Sequence, residues 1–108
     1  MNKIKFDLND RTAVITGGAQ GFGLDIAKRF LNSGAKVIIW DIDPKMIEKA
    51  QKDLDNTNLS SNIVDVSNYK EVENCTKEIT KKTNIDILIN NAGITGPTAS
   101  LWEYDVEM

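Results

Sequence analysis

Short apolar runs alternate along this chain with stretches whose apolar residues recur every three or four positions. Thr12–Thr16, centred on Ala13-Val-Ile, predicts a buried strand. From about Phe22 to Ser33, Ile26, Ala27, Phe30 and Leu31 share one helical face and Asp25, Lys28 and Arg29 the other. Gly34 stands where a terminating glycine belongs. Lys36-Val-Ile-Ile-Trp40 is a second strand, apolar enough to be covered on both faces. Asp43 is a good N-cap and Pro44 a good first residue for a second helix, with Met46, Ile47, Ala50 and Leu54 inward. After a turn at Asp55-Asn-Thr-Asn, a third and shorter strand is expected near Asn62-Ile-Val-Asp65. Ser67 is expected to cap a third helix carrying Val72, Cys75 and Ile79, with Tyr69 at its edge. A fourth strand, Ile85–Asn90, runs into Asn91-Ala92-Gly93 and a Thr/Gly/Pro-rich loop to Ser100; Leu101 to Met108 read as the start of a further element. Residues 1–10 are a polar lead-in whose Phe6 and Leu8 are expected at the rim of the domain.

Strands that alternate with amphipathic helices imply an α/β fold, a doubly wound parallel (Rossmann) sheet with right-handed crossovers. Its expected strand order is 3-2-1-4. That order reverses between the first and fourth strands, and ligands of such sheets bind there, outside the carboxyl ends of the strands.

The candidate chemistry collects at those ends. Between the first strand and first helix lies Thr16-Gly17-Gly18-Ala19-Gln20-Gly21-Phe22-Gly23, a TGxxxGxG spacing. Gly17 can turn sharply, Gly21 can let the main chain approach a pyrophosphate, and Gly23 can let the helix pack close to the strand. The N–H groups at the helix start then face the anion, aided by the helix dipole. Asp41 ends the second strand about 20 residues on, where a carboxylate can accept from both ribose hydroxyls of NAD and repel the 2′-phosphate of NADP. No Arg or Lys lies in the loop or immediately after Asp41, although Lys45 is near. Asp41 also reads as a simple helix-entry acid, and the two roles are compatible. Asp65-Val66 after the third strand reads equally as a strand-end turn, and Asn90-Asn91-Ala92-Gly93 as a polar turn.

Taken together and in this order, TGxxxGxG, the acid, Asp-Val and NNAG resemble the short-chain dehydrogenase/reductase family over nearly the whole chain. The resemblance implies hydride transfer between NAD(H) and a small alcohol or ketone, with 3-oxoacyl reductases and polyol dehydrogenases as the nearest kinds. It implies that Asp65 and Val66 contact adenine and that NNAG ties neighbouring strands while leaving room for the cofactor ribose. The cofactor contacts expected are thus Gly17, Gln20, Gly21, Phe22, Gly23, Asp41, Asp65, Val66, Asn91, Ala92 and Gly93. The family's general acid/base is a Tyr with a Lys four residues later, which helps a phenol of ordinary pKa near ~10 to work. Here Tyr69 is followed by Glu73 and Tyr104 by Met108. No catalytic residue is therefore assigned. The chain reads as one NAD-binding domain over 1–108, incomplete at its carboxyl end, inactive alone and forming a homo-oligomer when complete.

Composition narrows the alternatives. A net charge of −3 without a basic stripe argues against nucleic acid. There is no His and a single Cys, so a zinc site is improbable and an internal disulfide impossible, which fits a reducing cytoplasm. Cys75 is explained as a small core residue. No apolar stretch has signal-peptide character or approaches the ~20 residues of a membrane span. A non-catalytic nucleotide-binding module and an S-adenosylmethionine-dependent methyltransferase are the competing functions. NNAG and the loop spacing speak against the latter, and no Gly-Lys-Ser/Thr follows the glycines to make a P-loop.

Overall fold

A computed structural model describes residues 7–91. The elements run β1 (Thr12–Thr16), α1 (Gly21–Asn32), β2 (Lys36–Asp41), α2 (Pro44–Leu54), β3 (Leu59–Ile63), α3 (Tyr69–Thr80) and β4 (Ile87–Asn90). The four strands form one parallel sheet in the order β3-β2-β1-β4, as the alternation predicts.

The central strand explains the two layers. Every residue of β1 is buried. Strand side chains alternate between faces, so Ile15 joins Val37, Ile39, Ala27, Leu31, Ile47 and Ala50 on the side covered by α1 and α2. Val14 points the other way, into a cluster with Trp40, Val64 and Ile79 beneath α3. Leu8 packs on the first cluster, and its N–H donates to Ser33 O at 2.8 Å. Ile15 is fully buried. Ile15→Val removes one methylene from this layer and is expected to cost about 1 kcal/mol, read as a lower denaturant midpoint at unchanged slope. A midpoint equal to that of the parent would contradict the packing described.

Both predicted helix ends take defined forms. Asp43 Oδ1 accepts from the N–H groups of Lys45 (2.9 Å) and Met46 (3.4 Å). At the end of α1, Gly34 N–H donates to Leu31 O and Ala35 N–H to Phe30 O, both at 3.0 Å, with Gly34 at φ +94°. This pair of bonds is the Schellman closure.

Three boundaries differ from expectation. β3 lies earlier than Asn62–Asp65 because the register is set by β2. Val37 N–H donates to Asn58 O, Val37 pairs with Leu59, and Asp41 pairs with Ile63. As an edge strand, β3 has a polar sequence that hides it from a hydrophobic pattern, and the buried Val64 lies just past its end. The cap of α3 is Asn68, whose Oδ1 accepts from Glu71 N–H at 3.2 Å, and not Ser67. Ser67 instead bonds back to Asp65. Finally, β4 begins at Ile87 rather than Ile85, because the Asp86 side chain accepts the N–H of Thr12 at 2.9 Å. Among the described residues the outer edge of β4 pairs with no strand, and Leu88 is 42% exposed.

Candidate functional site

The loop after β1 is shaped by bonds to the end of β2. Gly17 N–H donates to Trp40 O at 2.7 Å, Gly18 N–H to the same oxygen at 3.4 Å, and Ala19 N–H to Asp41 Oδ2 at 3.3 Å. Gly17 makes the turn at φ +64°, in the left-handed region that glycine tolerates. The chain then enters α1 through Gln20, whose side chain makes no capping bond. The first helical N–H groups, those of Gly21, Phe22 and Gly23, have no intrahelical acceptor. No acidic side chain occupies that first turn. An anion is the natural partner for such a terminus.

Gly23 sits where three segments converge. A Cβ there would collide with Gly17 O and lie 2.7 Å from Asn91 Nδ2. The expected close packing of the helix is therefore against the loop and the end of β4, more than against the body of β1. The strand ends are joined to each other as well. Asn91 N–H donates to Thr16 Oγ1 at 2.8 Å, and the Thr16 hydroxyl lies 3.2 Å from Asn90 Oδ1 and 3.4 Å from Ile89 O. Asn91 Nδ2 donates to Gly17 O at 3.4 Å. The two asparagines thus bind the β4 terminus to β1 and to the glycine loop.

Asp41 is 7% exposed. Its Oδ1 accepts from Asp43 N–H at 3.1 Å and its Oδ2 from Ala19 N–H. A carboxylate offers about four lone-pair sites, so acceptor capacity remains for a ligand's hydroxyls. Asp65 is brought near through the main chain, since Val64 N–H donates to Asp41 O at 3.0 Å. The Asp65 carboxylate is engaged by the Ser67 hydroxyl at 2.6 Å and the Ser67 N–H at 3.0 Å. The hydroxyl first, and then the N–H, hold its pKa below the ordinary 3.8 against a small opposing desolvation. A depressed carboxylate pKa stabilises the folded turn above the ordinary value and loses that contribution as pH falls through the depressed one. Ser67→Ala is expected to move the Asp65 titration upward toward 3.8 in an NMR pH series; an unmoved midpoint would remove the hydroxyl as its main cause.

The structure therefore gathers Gly17, Gln20, Gly21, Phe22, Gly23, Asp41, Asp65, Val66 and Asn91 at one end of the sheet. Ala92 and Gly93 lie outside the described residues, as do Ser100, Tyr104 and the final predicted element. Two further residues went unnoticed in the sequence. Ile42 and Ile63 are 62% and 61% exposed directly beside the end of β2. Phe22 and Tyr69, at the starts of α1 and α3, are exposed as well. The available signal was an apolar residue immediately after a strand-ending acid.

Among the described residues, no group of His, Cys, Asp and Glu could hold a metal ion and no helix is long and apolar enough to cross a membrane. A cavity of about 500 Å³ opens elsewhere, between α3 and the sheet face of β2 and β3, and none of the expected contacts lines it. Cys75 borders that cavity, and burial first, then Glu78, pushes its thiol pKa up, away from reactivity.

The family model for short chain dehydrogenases matches residues 11–107. The 2-dehydro-3-deoxy-L-rhamnonate dehydrogenase (NAD(+)) of a Sphingomonas strain is 36% identical over 98 residues, covering 90% of this chain and 39% of that protein. A putative short-chain dehydrogenase from Novosphingobium aromaticivorans superposes with a TM-score of 0.77 at 33% identity, covering 82% of this chain and 34% of that one. The Pseudomonas aeruginosa RhlG/NADP active-site complex superposes with a TM-score of 0.76 at 29% identity, over 85% of this chain and 37% of that one. The chain thus spans about two fifths of the length of the curated relative, 39%. With the family model spanning both the glycine loop and the asparagine-bound end of β4, this chain belongs to the short-chain dehydrogenase/reductase family of oxidoreductases.

Proposed function

We propose that this chain supplies the NAD(H)-binding part of a reductase or dehydrogenase that moves a hydride between the nicotinamide and a small alcohol or ketone. The observation that carries the choice of cofactor is Asp41. Its buried carboxylate lies against the glycine loop, at the end of β2, with no cation in loop residues 17–23 to receive a 2′-phosphate. The relatives named above include one titled for NAD(+) and one for NADP, so the choice rests on this chain's own residues. In this reading the N–H groups of Gly21, Phe22 and Gly23 meet the pyrophosphate and Asp41 accepts from the ribose diol. Asp65 and Val66 border the adenine, with Asn91, Ala92 and Gly93 beneath the second ribose. The bound cofactor supplies the hydride chemistry; these residues bind and orient it. A cytoplasmic setting and a homo-oligomeric complete protein accord with this reading.

Titration of the chain with NAD, NADP and S-adenosylmethionine is the test. NAD is expected to bind, NADP at least about tenfold more weakly through like-charge repulsion, and S-adenosylmethionine not at all. NADP binding tighter than NAD would overturn the assignment.

A further inference from the structure

Asp41 does more in this fold than wait for a ribose. A buried carboxylate has to be hydrogen-bonded, and one of its partners comes from a distant part of the chain: the N–H of Ala19, 3.3 Å from Oδ2 and 22 positions away. Ala19 is itself 3% exposed, with its methyl in the core cluster beneath α1 and α2. The two preceding residues are fastened to the same place, Gly17 and Gly18 both donating to Trp40 O. Gly18 has no latitude, because a Cβ there would lie 2.6 Å from Ile39 Cγ2. Residues 17–19 therefore lie flat on the end of β2, and the Asp41 side chain is the last fastening before the chain turns into α1.

We propose that Asp41 is a positioning residue for the glycine loop: its carboxylate holds Ala19 in place before any ligand arrives, and so fixes where the helix N–H groups will meet an anion. The tether is independent of the ligand; its effect on affinity rests on the crevice being the dinucleotide site. Because a carboxylate has acceptor sites to spare, the same group can hold Ala19 and accept from a diol together. Substitutions at Asp41 would then impair more than recognition of the ribose.

Amide hydrogen exchange on the ligand-free 108-residue chain separates the tether from ligand recognition. In the parent, after correction for intrinsic rates, Ala19 is expected to exchange about tenfold or more slowly than Gln20. In Asp41→Ala that difference collapses, while Val37, bonded to Asn58 O in the sheet, keeps its protection. Equal rates at Ala19 and Gln20 in the parent would overturn the tether even if the variant failed to fold, as would an Ala19 rate unchanged by the substitution. A second arm compares NAD with adenosine, which carries the ribose hydroxyls but no phosphate. If Asp41 served only the ribose, both would lose the same factor in Asp41→Ala. The positioning role predicts an additional loss of about threefold or more for NAD, and equal factors would refute it. A parent chain that binds neither compound would count against the dinucleotide reading, leaving the exchange arm to decide the tether.

Discussion

Gly23→Ala is expected to abolish measurable NAD binding and to lower stability by about 3 kcal/mol, the upper part of the usual range for an overpacked site. The added methyl has nowhere to go. It meets Gly17 O, which is main chain and cannot rotate away, and lies 2.7 Å from Asn91 Nδ2. Relief requires α1 to retreat from the place where Gly17 O and Asn91 Nδ2 meet each other, or those two groups to part. The first-turn N–H groups then move away from the position at which they converge. Calorimetric titration with NAD and a denaturant melt measure both effects. A variant with parental stability and affinity would mean that the helix does not need this approach. Gly21→Ala is a useful contrast. A Cβ there meets nothing within 4 Å, so only its positive φ of +59° resists the change. Its effect should be confined to the loop and cost on the order of 1 kcal/mol.

Asp41→Ala is expected to weaken NAD about a hundredfold and to leave NADP nearly unchanged, which shifts the ratio between them about a hundredfold toward NADP. Hydrogen bonds to a charged acceptor contribute roughly 1.5–3 kcal/mol each, and each 1.4 kcal/mol is about tenfold in affinity. NADP loses the same loop fastening but gains relief from a carboxylate facing its phosphate, so the two changes oppose. Parallel titrations with NAD and NADP give the ratio directly. An unchanged ratio would show that discrimination lies elsewhere, with Lys45 the nearest cation in sequence.

The parts of this fold that could be read from sequence are those where one strong local requirement acts. β1 and β2 are covered on both faces, so their apolar runs are unbroken, and the four-strand order follows from their alternation with amphipathic helices. Asp43-Pro44 and Gly34 marked helix ends because cap geometry is local. β3 was misplaced because an edge strand needs few apolar residues, and Val64 is buried by α3 rather than by sheet pairing. The α3 cap was misassigned because Ser67 and Asn68 are both good capping residues, and the choice depends on Asp65 engaging Ser67. In the site, the positions of the glycines and of Asp41 were legible, while the bond from Ala19 to Asp41 was not. It exists only once β1 and β2 have paired. The exposure of Ile42 and Ile63 was equally hidden, since it is decided by the whole sheet.

The glycine loop leans on the end of β2 through Trp40 O and Asp41, as well as on its own glycines. Its shape is thus a property of two neighbouring strands and is only partly encoded in the motif itself. Transplanting residues 16–23 alone into a foreign strand–helix junction would carry the letters of the motif without its conformation. A graft that also brings 39–41, with Ile39 as floor and Asp41 as clasp, and Asn91 from the end of β4, carries the contacts that shape it.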